Sequence, residues 1–107
     1  MNRTTIEVYM GTNDFDEVMR IVASKLEPEG FRKVLLDGEV AWIKGDGVII
    51  KLQCIAVVFT GKSVLIQAWV RDALLGESDL EGYVAYFAKK RMKELIKKIS
   101  TAIACMG

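Results

Sequence analysis

The chain has no histidine. That absence removes the commonest general base and the commonest metal ligand together. It has only two cysteines, Cys54 and Cys105. A lone pair cannot build a four-ligand zinc site, and a domain this apolar has no need of a disulfide, so both read as reduced thiols in a cytoplasmic setting. No metal and no cofactor is expected. Proline occurs once, at Pro28, so the chain is not a proline-rich linker. Long apolar runs are missing too. The richest stretch, Val48 to Phe59, is interrupted by Lys51 and Gln53 and is too short to cross a bilayer. Met1 to Gly11 contains no signal-peptide core. With a net charge of +1 there is no bulk electrostatic drive toward nucleic acid or an anionic membrane.

What remains is an ordinary globular composition, 51% hydrophobic and 27% charged over 107 residues, enough for a single domain spanning 1–107 and one core. Thr4 to Met10 alternates and reads as a short strand. Asp14 and Glu17 form an Asp-x-x-Glu capping box, and Phe15, Val18, Met19, Val22 and Leu26 follow at helical spacing. The spacing predicts a helix over 14–27, ended by Pro28 and Gly30. Phe31 to Leu36 and Glu39 to Lys44 flank Asp37-Gly38, a strong hairpin signal. A long strand over 48–59 and a return strand over 63–71 follow. Leu74 to Gly82 reads as a loop. A final helix, starting near Asp79 to Tyr83 and ending near Ile103, carries the apolar stripe Phe87, Met92, Leu95, Ile96, Ile99 and Ile103. The fold class is therefore α+β. The order β-α-β-β-β-β-α implies a five-stranded antiparallel sheet with two helices on one face, a two-layer sandwich whose other face is open.

Parity sets an expectation for the two longest strands. Val48, Ile50, Leu52, Cys54, Ala56 and Val58 are all even-numbered and apolar, as are Val64, Ile66, Ala68 and Val70. Placing all of them on one buried face requires Thr60, Gly61 and Lys62 to form a three-residue connection that pairs Phe59 with Ser63. Two-residue turns at Asp37-Gly38 and Asp46-Gly47 then place Lys33 opposite Trp42, Trp42 opposite Lys51 and Lys44 opposite Ile49. Lys51 meets Arg71, and Gln53 meets Trp69. A three-residue Gly45-Asp46-Gly47 connection would instead turn Trp42 into the core.

The second half carries a recognisable pattern: Trp42-Ile43-Lys44-Gly45-Asp46-Gly47, Gln67-Ala68-Trp69, Asp79-Leu80-Glu81-Gly82-Tyr83 and Lys89-Lys90-Arg91-Met92-Lys93. Over roughly Tyr9 to Ile99 it resembles a group of small α+β domains of Gram-positive bacteria with no assigned activity. Relatives in that group often sit beside a zinc ribbon or a membrane-spanning segment. This chain shows neither, so neither association is expected of it. The element order also resembles half of the TATA-binding-protein fold and other helix-on-sheet folds; such a likeness carries no function with it.

The candidate binding surface is the open sheet face, with Lys33, Trp42, Lys44, Lys51, Gln53, Gln67, Trp69 and Arg71, joined by Glu7 and Tyr9 if the first strand pairs with the last. Ile49, Ile55, Val57, Phe59 and Leu65 would be exposed there, which favours a protein contact, including a homo-oligomer. Ordinary solvation of an antiparallel sheet also explains such a face. The last helix bears Lys89, Lys90, Arg91, Lys93, Lys97 and Lys98, which a solvated helix face explains equally. No catalytic constellation emerges. The serines lack a histidine, neither cysteine has an evident base, and Asp14, Asp16 and Glu17 sit where capping accounts for them. The expected role is a non-enzymatic interaction or accessory domain. A small-ligand pocket between the sheet and the long helix is the first alternative, and weak nucleic-acid binding through the tryptophans and lysines is the second.

Overall fold

In the computed structural model, residues 3–10, 14–45, 51–72, 76–81 and 86–106 are described. The Asp46-Gly47 turn, Val48 to Ile50 and a helix start at Gly82 or Tyr83 lie outside them. The chain is a two-layer α+β sandwich. Its elements run β1 (Thr4–Tyr9), α1 (Phe15–Leu26), a 3-10 turn (Glu27–Glu29), β2 (Arg32–Leu36), β3 (Glu39–Lys44), β4 (Leu52–Phe59), β5 (Ser63–Asp72), β6 (Gly76–Ser78) and α2 (Tyr86–Ala104). The main sheet has the order β1-β5-β4-β3-β2, all antiparallel. The short β6 lies within the stretch expected to be loop. It pairs with β5 through Arg71↔Glu77, continuing the line of β1 where that strand's pairing ends at Thr4↔Ala68.

Local chemistry explains the element ends. Asp14 caps α1, its Oδ1 accepting from the Glu17 backbone N–H at 3.0 Å. Pro28 sits in the 3-10 turn, where its missing N–H costs nothing, and Gly30 leaves the turn at φ 90°. Asp37 and Gly38 both take positive φ, 51° and 81°, as the expected two-residue hairpin turn demands, and Leu36 pairs with Glu39. Of the expected start of α2, the part over 79–81 is overturned. Ser78 is held in β6, and the Leu80 N–H donates to Thr4 Oγ1 at 2.9 Å with its side chain buried, so 79–81 cannot be helical. The observed stripe of α2 is Met92, Leu95, Ile96, Ile99 and Ile103; Phe87, expected to join it, is 84% exposed. Lys89 takes a buried place near the start of that helix, its Nζ donating to the Glu81 carbonyl at 2.9 Å.

The expected register between the two long strands is overturned. Phe59 pairs with Val64 rather than Ser63, so odd residues of β4 lie opposite even residues of β5. The connection is a tight turn in which the Thr60 N–H donates to the Ser63 carbonyl at 2.9 Å and Gly61 adopts φ 95°. The reason is that β4 is apolar on both alternations. Ile55, Val57 and Phe59 join the helix-side core with Val64, Ile66, Ala68 and Val70, beneath Val18, Val22 and Leu26 of α1 and the stripe of α2. Leu52, Cys54 and Ala56 turn to the other face and build a second cluster with Ala41, Ile43 and Trp69. The ten even apolar positions therefore do not share a face.

This register makes a ranking that a urea titration can check. Ile55→Ala, at a site with 0% exposure, is expected to lose about 2–5 kcal/mol of unfolding free energy. Val58→Ala, on the opposite and partly exposed side, is expected to lose less than about 1 kcal/mol. The reverse ranking would mean that β4 faces the other way.

Candidate functional site

The slip of one residue divides the expected binding face in two. Gln67, Trp69 and Arg71 remain on the open face. Trp42 pairs with Ile55, not Lys51, and is buried in the helix-side core. Lys33 lies opposite Trp42 as expected, and so belongs to the helix side. Lys44 pairs with Gln53 instead of Ile49, and its Nζ lies 5.9 Å from the Phe31 ring centroid, again on the helix side. Gln53 pairs with Val70 rather than Trp69, and Cys54 takes the place opposite Trp69. Arg71 meets Leu52 rather than Lys51, which stands just before β4 and is half-buried. Of the apolar residues expected to be exposed, Ile55 is buried and Val57, Phe59 and Leu65 are half-buried. Ile49 lies outside the described residues.

The open face is organised by a residue that the sequence reading passed over. Arg3 precedes β1 and lays its guanidinium 3.6 Å above the Trp69 ring. Its Nε and one terminal nitrogen donate to the two oxygens of Glu77 at 3.2 and 3.3 Å. The other terminal nitrogen donates to Glu39 at 2.9 Å and Gln67 at 3.1 Å. Burial works against the charge of Arg3, yet the hydrogen bonds to Glu39 and Glu77 outweigh it and raise the pKa above the ordinary guanidinium value. Farther along, Arg71 donates to Asp37 at the β2–β3 turn at 2.7 Å, across β4 and β3. Side chains laid across this face bury the small-residue floor of Ala41, Cys54 and Ala56 without a second layer. Trp69 is left 1% exposed with no hydrogen-bond partner for its Nε1.

Arg3 was legible through parity. It has the parity of Thr5 and Glu7, and the conditional pairing of the first strand with the last is observed, with Thr5 opposite Gln67. Glu77 lies in β6, within the stretch expected to be loop. Glu7 and Tyr9 do share the open face, where Glu7 accepts from Ser63 Oγ at 2.8 Å and Tyr9 is exposed.

On the helix side, α1 stops short of the outer strands. Met19, Lys33, Val40, Trp42, Val57 and Phe59 line a groove of about 260 Å³ between α1 and the sheet. Between the sheet and the long helix, where the ligand pocket was expected, a shallower depression of about 430 Å³ lies between β1 and α2, lined by Ile6, Val8, Tyr9, Ser100, Thr101 and Ala104 among others. Trp42 Nε1 is likewise buried without a partner. Bases stack on exposed rings, and both indoles are buried on opposite faces, so they form no stacking platform. Among the described residues no group of three or more His, Cys, Asp or Glu is placed to hold a metal ion. No helix among them is long and apolar enough to cross a membrane. No family model, curated protein or solved structure matches the chain.

The two thiols differ sharply. Cys105 is exposed, whereas burial pushes the Cys54 thiol from 9.0 up to about 12. A thiol reagent at pH 8 is therefore expected to modify one cysteine in the folded chain and both in urea. The folded Cys54 keeps its proton where an unfolded thiol at 9.0 releases it. Its contribution to stability is full below 9.0 and is lost as pH rises toward about 12. Equal modification of both cysteines in the folded protein would refute the burial.

Proposed function

We propose that this chain is a non-enzymatic interaction domain that self-associates through the β2 end of its sheet. The supporting observation is the cross-strand pair Leu35 and Val40, 72% and 49% exposed on the terminal hairpin beside the apolar groove. Two adjacent, exposed aliphatic side chains on an edge strand are a liability unless something covers them. Because β2 ends the strand order, its outer backbone edge is available for pairing with another strand.

A second copy satisfies that edge with a simple register. Antiparallel pairing of two β2 strands about Val34 sets Lys33 opposite Leu35 and Arg32 opposite Leu36 of the other copy. No cation then faces a cation, and the two Leu35–Val40 patches become continuous across the helix side. The surface differs from the open face first expected, because Arg3 and Trp69 already cover the centre of that face.

A second reading rests on the groove itself. The buried, unpartnered Trp42 Nε1 beneath a groove flanked by Lys33 suits a small apolar anion. The chain is taken here as bacterial and cytoplasmic, in keeping with the resemblance to small Gram-positive domains and with its reduced thiols.

Light scattering over a dilution series separates these readings. The wild type is expected to pass from dimer to monomer, and Leu35→Glu to weaken the dimer at least about tenfold, since a charge is placed in an apolar contact. A wild type that stays monomeric at millimolar concentration would overturn the self-association reading. A saturable thermal shift with short-chain fatty acids in that monomer would favour the groove.

A further inference from the structure

The open face holds a complete receptor for a guanidinium group, and the chain fills it with its own Arg3. Glu77 accepts from Nε and one terminal nitrogen as a fork, Glu39 and Gln67 accept from the other, and Trp69 supplies an aromatic face at 3.6 Å. A planar, five-donor guanidinium matches that set; an ammonium has neither the plane nor the fork. The partners come from β3, β5 and β6, and none from the strand that Arg3 leads into.

Two further observations make this more than an internal ion pair. Arg3 stands outside the ladder, whose first pair is Thr4↔Ala68, so it can leave without breaking a strand pair. Trp69 Nε1 is fully buried beside the cage and has no acceptor, a donor left over by the present occupant. With Arg3 withdrawn, two carboxylates and an indole face would stand over the floor of Ala41, Cys54 and Ala56.

We infer that this face is a binding site for an arginine side chain of a partner peptide, held shut in cis by Arg3 as an autoinhibitory strap. The site is separate from the β2 edge and does not rest on the self-association proposed above. Its affinity in the intact chain is set by competition, because a tethered Arg3 is present at high effective concentration.

The test is a titration of full-length Arg3→Ala with N-acetyl-arginine amide and with N-acetyl-lysine amide, read on the indole N–H resonance of Trp69. The arginine compound is expected to give a saturable shift, the lysine compound one at least about tenfold weaker, and the wild type is expected to bind the arginine compound at least about tenfold more weakly than the variant. Adding Glu77→Gln is expected to remove the response. Equal responses to both compounds, equal binding by wild type and variant, or no response at all overturns the inference. Should Arg3→Ala fail to fold, Arg3→Lys keeps a cation while giving up the fork, and the same outcomes are read on it.

Discussion

The hydrogen-bonded turn at Thr60 to Ser63 decides which side chains share a layer. The Thr60 N–H donates to the Ser63 carbonyl, Thr60 Oγ1 contacts Ser63 Oγ at 2.5 Å, and Ser63 Oγ donates in turn to Glu7. This small polar cluster pins β4, β5 and β1 together at one end of the sheet. A strand has a side-chain period of two, so the placement of Phe59 opposite Val64 propagates across β4, β3 and β2. Had the turn held one residue more, Trp42 would stand on the open face and Ala41 in the main core.

Two cores of unequal kind result. The helix-side core is a conventional one, filled by large aliphatic residues of both helices and of β1, β4 and β5, with Trp42 from β3. The other is thin, with Ala41, Cys54 and Ala56 beside Ile43 and Leu52 under one indole, and depends on Arg3 for cover. The Arg3 ion pairs over it are only partly buried and the Arg71–Asp37 pair is exposed; all link segments that share no ladder, so their contribution is to geometry as much as to stability.

The elements of the fold were legible because their signals are local. The Asp14 cap, Pro28, Gly30 and the Asp37-Gly38 turn each act within a few residues, and each appears where the sequence places it. The register of β4 was not legible, because Cys54, Ile55, Ala56, Val57, Val58 and Phe59 are apolar on both alternations and a strand buried on both faces gives no sign of which side is in. That single ambiguity divided the candidate site, moving Lys33, Trp42, Lys44 and Gln53 to the helix side. Glu77 lay beyond reach for another reason. A three-residue strand such as β6 has no periodicity of its own and exists only because β5 offers it an edge.

The bond between Arg3 and Glu77 joins positions 74 apart in the chain, and that separation has a kinetic meaning. Loop closure over such a length becomes favourable only after the hairpins between have formed. The cover that Arg3 lays over Trp69 is therefore expected to arrive late on the folding path and to come undone early. Losing the guanidinium should hasten unfolding while leaving the folding rate nearly unchanged. The domain thus has one side that sets how quickly it forms and another that sets how long it lasts.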